Sequence, residues 1–161
     1  MVIKYQPIGY IYTTCKTLND MPIQPAGGKT LKGEIEILQE YAEGLSDLDG
    51  FSHIFLLYHF HRSHNFKLRV IPFLDDNFHG VFATRAPKRP NHIGLSLVAL
   101  DKIVGNKLYI SGIDILNETP LLDIKPFIPD FDYRKNVRTG WYNSNLSKVK
   151  KYRSDSRFEA Q

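Results

Sequence analysis

Between Tyr5 and Lys125 the apolar residues mostly recur at every second position, or form short runs closed off by Gly, Pro, Asn or Asp. That rhythm is the signature of strands whose alternate side chains face a core and solvent. It predicts strands over Tyr5–Thr13, Leu31–Leu38, Phe51–His61, Leu68–Leu74, Gly80–Arg85, Gly94–Val104, Lys107–Asp114 and a short run around Leu121–Lys125. Gly105-Asn106 lies between two of them, and both residue types tolerate positive φ, which predicts a tight two-residue hairpin. Before the tail, only Gln39–Leu48 reads as a helix. A chain of this kind is mainly β, and a small closed or nearly closed barrel suits it, because closure removes exposed strand edges. No glycine-rich strand-to-helix turn and no alternation of strands with helices is present, which disfavours a doubly wound α/β fold.

With 161 residues the chain is expected to form one domain, residues 1–132, followed by an irregular tail, residues 133–161, docked by Trp141. No apolar run reaches the roughly 18 residues a membrane helix needs, so no membrane association is expected. The opening MVIKYQPIGY lacks the pattern of a secretion signal, and the expectation is a cytoplasmic protein. Cys15 is the sole cysteine and reads as a small packed side chain. The net charge of +4 is unevenly spread: from Tyr133 onward there are eight Lys or Arg against two acids, leaving −2 for the rest. Such a tail suits a phosphate polymer, whose neutralisation releases counterions, or serves as a solvated tail for solubility.

Three segments break the strand rhythm: Met21–Lys29, Ala83–Gly94 and Leu116–Pro129. Each is rich in Pro, Gly or polar residues, as binding loops on a rigid scaffold are. The sharpest is GVFATRAPKRPNHIGLS, Gly80 to Ser96, in which Arg85, Lys88 and Arg89 crowd a loop stiffened by Pro87 and Pro90. Arginine grips a carboxylate or phosphate with two parallel hydrogen bonds, so this loop is expected to meet an anion. Gly94 permits a close approach of ligand or backbone. Asp123 and Lys125 share a face of an extended segment, either as a buried ion pair or with Asp123 as a proton acceptor. His59, His61 and His64 have a spacing compatible with zinc, but no cysteine or fourth ligand accompanies them, so no metal is expected. His53 reads as a hydrogen-bonded core residue.

The Gly80–Ser96 stretch resembles the signature GVFATRSPxRPNPIGLS of the TsaA/TrmO-like family of S-adenosylmethionine-dependent tRNA methyltransferases. FSHIFLLYHFHRS, Phe51 to Ser63, is similar to that family's FSHxWLLYxFH strand, and ETPLLDIKPFIP, Glu118 to Pro129, to its DGTPVLDIKPYLP. With IGYIYT near the start and QPAG at Gln24–Gly27, the likeness runs from about residue 6 to 130. It implies a barrel of about seven strands, a homodimer, and methyl transfer to threonylcarbamoyl-adenosine at tRNA position 37, with S-adenosylmethionine as cofactor; the alternatives are an S-adenosylmethionine-binding or RNA-binding module without turnover, or methyl transfer to a non-tRNA acceptor. Carried over by position, the cofactor site comprises Gln24, Pro25, Ala26, His61, Arg62, Arg85, Leu95, Leu116, Asn117, Glu118, Thr119 and Pro120. Arg85 suits the cofactor carboxylate, and Asp114 or Glu118 a cationic group. Asp123, Asp114 and Glu118 are the candidate catalytic carboxylates. Lys88, Arg89, Lys148, Lys150 and Lys151 are expected to hold RNA phosphates, and Tyr58 or Tyr133 to stack on a base. The chain departs from the family twice: Asn117-Glu118 stands where Asp-Gly is usual, and His92 where the family has Pro.

Overall fold

In the computed structural model, which describes residues 1–17, 31–73 and 75–144, the alternating segments close into a barrel. Its six strands are β1 (Gly9–Thr13), β2 (Lys32–Ile37), β3 (His53–His59), β6 (Ile93–Val104), β7 (Lys107–Ser111) and β8 (Thr119–Pro126). They follow the order β1-β2-β7-β6-β3-β8, and every neighbouring pair is antiparallel. Two further strands, β4 (Arg69–Val70) and β5 (His79–Gly80), form a separate two-stranded ribbon. The family likeness implied about seven strands; six close the ring.

Closure rests on two strands that each serve two partners. The first part of β6, Ile93–Ala99, pairs with β3, and the part from Ala99 to Val104 pairs with β7, with a register shift between Leu100 and Lys102. β8 pairs with β1 through Thr119–Leu121 and with β3 from Leu121 to Pro126, where the shift falls between Leu57 and Tyr58. Such bulges bend and twist a strand, which lets a six-membered sheet meet its own edge. The β6–β7 hairpin turns on Gly105 at φ 61°, while Asn106 stays outside the positive-φ region. That is the pattern of a turn needing glycine at its first central position only. Asn106 is used instead to bind β2, its Nδ2 donating to the Ile37 carbonyl at 2.7 Å and its own carbonyl accepting from Ile37 N–H at 2.9 Å.

The inward set is the alternate residues: Ile11, Ile35, Ile37, Ile54, Leu56, Val98, Leu108, Ile110 and Leu121, joined by Ile113 and Ile115 from the β7–β8 connection. Each contributes roughly 1.5–3 kcal/mol by leaving water. Cys15 is buried as expected of a small packed side chain. The predicted helix over Gln39–Leu48 is instead two 3₁₀ segments, Gln39–Leu45 and Leu48–Gly50, separated by Asp47 at φ 65°. The first has no side-chain cap, and seven residues are too few for a cooperative α-helix. The predicted strand from Leu68 shrinks to two residues because Pro72 has no N–H for a ladder. The predicted strand Gly80–Arg85 turns over at Val81–Ala83. His53 is exposed, its Nδ1 3.0 Å from Ser52 Oγ, rather than in the core. No helix among the described residues is long and apolar enough to cross a membrane.

Ile110 is fully enclosed, so Ile110→Ala removes packed methyl groups from the barrel centre. A loss of about 2–5 kcal/mol is expected in the free energy of denaturant unfolding.

Candidate functional site at one end of the barrel

Six chain ends meet at one mouth of the barrel: the C-terminal ends of β1, β3 and β7 and the N-terminal ends of β2, β6 and β8. The segments leading into or out of these ends carry His61, Arg62, Arg85, Asp114 and Leu116–Pro120.

Just inside the mouth, Tyr58 on β3 lies opposite Gly94 on β6. A Cβ at Gly94 would stand 2.3 Å from Tyr58 Cε2, so the glycine is what admits the ring. Tyr58 Oη is 3.1 Å from Ser96 Oγ, which donates to Asp114 Oδ1 at 2.6 Å. Ser96 has one hydroxyl proton, committed to the carboxylate, so Tyr58 is the donor to Ser96. Burial pushes the Asp114 carboxyl up to about 6, against the Ser96 hydrogen bond and the positive charge of Arg85. Burial, then the Asp114 charge, also drives the Tyr58 hydroxyl far above its ordinary range. The field of Arg85 favours the charged forms of Asp114, Tyr58 and Tyr142 alike. Tyr58 is buried in this chain, not available to stack on a base, whereas Tyr133 is exposed.

Arg85 sits in an internally braced loop. Thr84 Oγ1 donates to Val81 O at 2.9 Å and accepts from Ala86 N–H at 3.2 Å. Arg89 Nη1 reaches the carbonyls of Val81, Thr84 and Ala86 at 3.1, 2.9 and 3.4 Å, and its guanidinium lies over Phe82. Lys88 is 5% exposed. Of these two cations, expected at RNA phosphates, Arg89 is thus committed to the loop's own carbonyls and Lys88 is buried, while Arg85 is exposed between buried Thr84 and Ala86. Beneath the loop, Val70, Val81 and Ala86 form a small core with Phe73. Trp141 Nε1 donates to Ala83 O at 2.9 Å, and its ring stacks on His79 with centroids 4.5 Å apart. His79 is held in turn by Asp75 at 2.9 Å, a contact that draws the Asp75 carboxyl down to about 2.

The third wall is the connection from β7 to β8. Asn117 Oδ1 accepts from Thr13 N–H at 3.0 Å, Asn117 N–H donates to Cys15 O at 2.8 Å, and Thr13 Oγ1 donates to Ile115 O at 2.9 Å. Asn117 thus supplies an acceptor that an aspartate would also provide. Glu118, where the family has glycine, takes φ 61° and is exposed. That conformation costs a non-glycine residue about 1–2 kcal/mol. Thr119, buried, donates to Leu116 O at 2.7 Å, so its contact with His61 Nδ1 at 3.3 Å is accepted from an Nδ1–H. Burial first, then the neighbouring Arg62 and His59, lower the His61 pKa, with Glu118 opposing, so the ring is neutral at pH 7. Leu95, on the outer side of β6, is 48% exposed. His92 ties the mouth together, its Nε2 2.9 Å from the Asn65 carbonyl and its ring edge-on to His59.

Asp123 is not brought into this group. Its Oδ2 pairs with Lys125 Nζ at 2.9 Å on the barrel wall, where the two side chains are 44% and 63% exposed, in contrast to the buried pair expected. Exposed pairs of this kind add little stability. Gln24, Pro25 and Ala26, and also Lys148, Lys150 and Lys151, lie outside the described residues. Among the described residues no three His, Cys, Asp or Glu are grouped to hold a metal ion.

A closed antiparallel barrel, with an exposed arginine, a half-buried carboxylate and a neutral histidine on the segments at one mouth, defines a small β-barrel protein. The chain belongs to the tRNA-methyltransferase O N-terminal domain family, whose model matches residues 10–133. It is 51% identical over 158 residues to a probable S-adenosyl-L-methionine-binding protein of Pyrococcus abyssi, covering 98% of this chain and 86% of the relative. It is 36% identical over 148 residues to the human tRNA (adenine(37)-N6)-methyltransferase, covering 88% of this chain and 34% of that protein. Its fold matches the crystal structure of TrmO from Pseudomonas aeruginosa with a TM-score of 0.74 at 37% identity, covering 88% of this chain and 63% of that one. The chain thus spans about a third of the human protein and under two thirds of the bacterial one.

Two outcomes follow from the mouth. Gly94→Ala must displace the Tyr58 ring and is expected to cost about 1–3 kcal/mol in denaturant unfolding, an overpacking penalty. The Asp114 carboxyl titrates near 6 when folded and near 4 when unfolded, so between those values the folded state holds the extra proton. Stability contributed at this site therefore falls as pH rises from about 4 to about 6 and is level above. Unfolding measured across that window should show Asp114→Asn gaining on the wild type by up to roughly 2–3 kcal/mol; a pH-independent difference would mean that Asp114 titrates normally.

Proposed function

We propose that the chain transfers a methyl group from S-adenosylmethionine to the exocyclic amine of threonylcarbamoyl-adenosine at position 37 of a tRNA anticodon loop, acting as a homodimer in the cytoplasm. The observation that carries this reading is the convergence of Arg85, His61, Asp114 and the Leu116–Pro120 connection on one barrel mouth in a chain of this family. The human relative's name specifies N6 of adenine at position 37 of tRNA.

The donor set fits the cofactor. Arg85 offers a two-pronged grip for a carboxylate. Neutral His61, with its proton at Nδ1, presents an acceptor at Nε2 for an amine edge. Leu95 and Leu116 supply apolar surface, and Glu118 a negative charge. Gln24, Pro25 and Ala26 complete the set in this reading. S-adenosylmethionine, when bound, brings an electrophilic methyl group, so alignment of donor and acceptor matters more than a strong base. The acceptor amine still sheds a proton, and Asp114 Oδ2 can hold it, Oδ1 being occupied by Ser96. The exposed Tyr133 and the basic tail, including Lys148, Lys150 and Lys151, serve the RNA through base stacking and phosphate contact.

Methyl transfer into tRNA, followed by nucleoside analysis, tests the reading. The expected product is the methylated threonylcarbamoyl-adenosine, with a rate that drops steeply as salt rises. Arg85→Ala should weaken cofactor binding by calorimetry at least about tenfold, consistent with loss of a charge-assisted bidentate contact. A methylated product that is not a nucleoside would overturn the tRNA assignment.

A further inference from the structure

Among the described residues, the non-glycine positions with positive φ are Asp47, Asn65, Asn136 and Glu118. Asp and Asn visit that region readily because their short polar side chains bond locally; a glutamate does not. Nor can the backbone at Glu118 relax, for both flanks are fixed. Asn117 is tied to Thr13 and Cys15, and Thr119 is tied to Leu116 and paired with Ile11 of β1. Glycine would sit there without strain, yet the chain carries a glutamate.

What the side chain adds is an exposed negative charge at the mouth. Glu118 acts electrostatically on His61, but that imidazole is neutral at pH 7. The close ion pairs among the described residues are His79–Asp75, Lys107–Glu34 and Lys125–Asp123, and none of them joins Glu118 to Arg62. The other carboxylate at this end, Asp114, is occupied by the Ser96 hydroxyl and lies in the field of Arg85. Asn117 does the structural work at its neighbouring position without charge.

We propose that Glu118 is a specificity-determining residue that reads the positive charge of the sulfonium, favouring S-adenosylmethionine over its demethylated product S-adenosylhomocysteine. This inference rests on the cofactor reading above. The two molecules share the adenosine, carboxylate and ammonium groups and differ at sulfur, which is a cation in one and a neutral thioether in the other. A carboxylate beside the sulfur discriminates between them and loosens the site once the charge is gone, whereas contacts with the shared groups hold both equally.

Calorimetric titration of the full chain with each of the two molecules tests this, on the wild type, Glu118→Gln and Glu118→Gly, with thermal midpoints recorded for all three. The wild type is expected to bind S-adenosylmethionine more tightly. Glu118→Gln should weaken that binding about three- to tenfold while leaving S-adenosylhomocysteine within about twofold. Glu118→Gly should show the same loss of preference together with a higher thermal midpoint, since strain and charge leave together. An unchanged preference in Glu118→Gln would overturn the proposal while leaving the cofactor reading intact, and so would equal weakening of both molecules, which would move the contact to the ammonium. A wild type that binds neither would overturn both.

Discussion

Closure of the ring through β8 is the constraint on which the rest of the molecule depends. Its first residues pair with β1 and its remainder with β3, so one strand joins the edges of the sheet. Without that joint the apolar faces of β1 and β3 would be two exposed sheet edges. With it, Ile11, Leu56 and Leu121 share an interior from which water is excluded. The same joint places the Leu116–Pro120 connection beside the end of β3, so Thr119 meets His61 across 58 positions of sequence. The site is thus a by-product of how the barrel shuts.

Low dielectric at the mouth then sorts the ionisable groups into different roles. Asp114 and His61 are both driven toward their neutral forms by burial, from opposite directions. Asp114 retains its charge at neutral pH because Ser96 and Arg85 oppose the burial. Arg85 is exposed, whereas Arg89 of the same loop caps three carbonyls and Lys88 is buried. One loop therefore uses its cations in different ways, Arg89 to stiffen a turn and Arg85 to act on Asp114 through its field.

Much of the strand pattern is local and could be read residue by residue, as β2, β3, β6 and β7 show, each lying within or almost within its predicted span. The loops that carry His61, Arg85 and Leu116–Pro120 were also legible, because Pro, Gly and clustered charge interrupt the alternation. The Tyr58–Ser96–Asp114 chain was not, since its members lie 38 and 18 positions apart on three different segments. Its one trace in the sequence is Gly94, which signals a close approach without saying that the approaching group is a tyrosine ring. The spacing of Asp123 and Lys125 suits a buried ion pair or a proton acceptor at Asp123, but spacing reports which side chains share a face, not whether that face looks inward.

By itself the sequence determined that this chain is built of short strands, where its irregular loops fall, and which family it resembles, because period, turn chemistry and motif are properties of neighbouring residues. Only the tertiary structure decided that six strands close the ring, that Arg89 serves the loop and Lys88 is buried while Arg85 is exposed, and that Glu118 accepts a left-handed backbone. Those outcomes depend on strand partners and burial, which bring distant residues together and change the cost of charge and strain at each position.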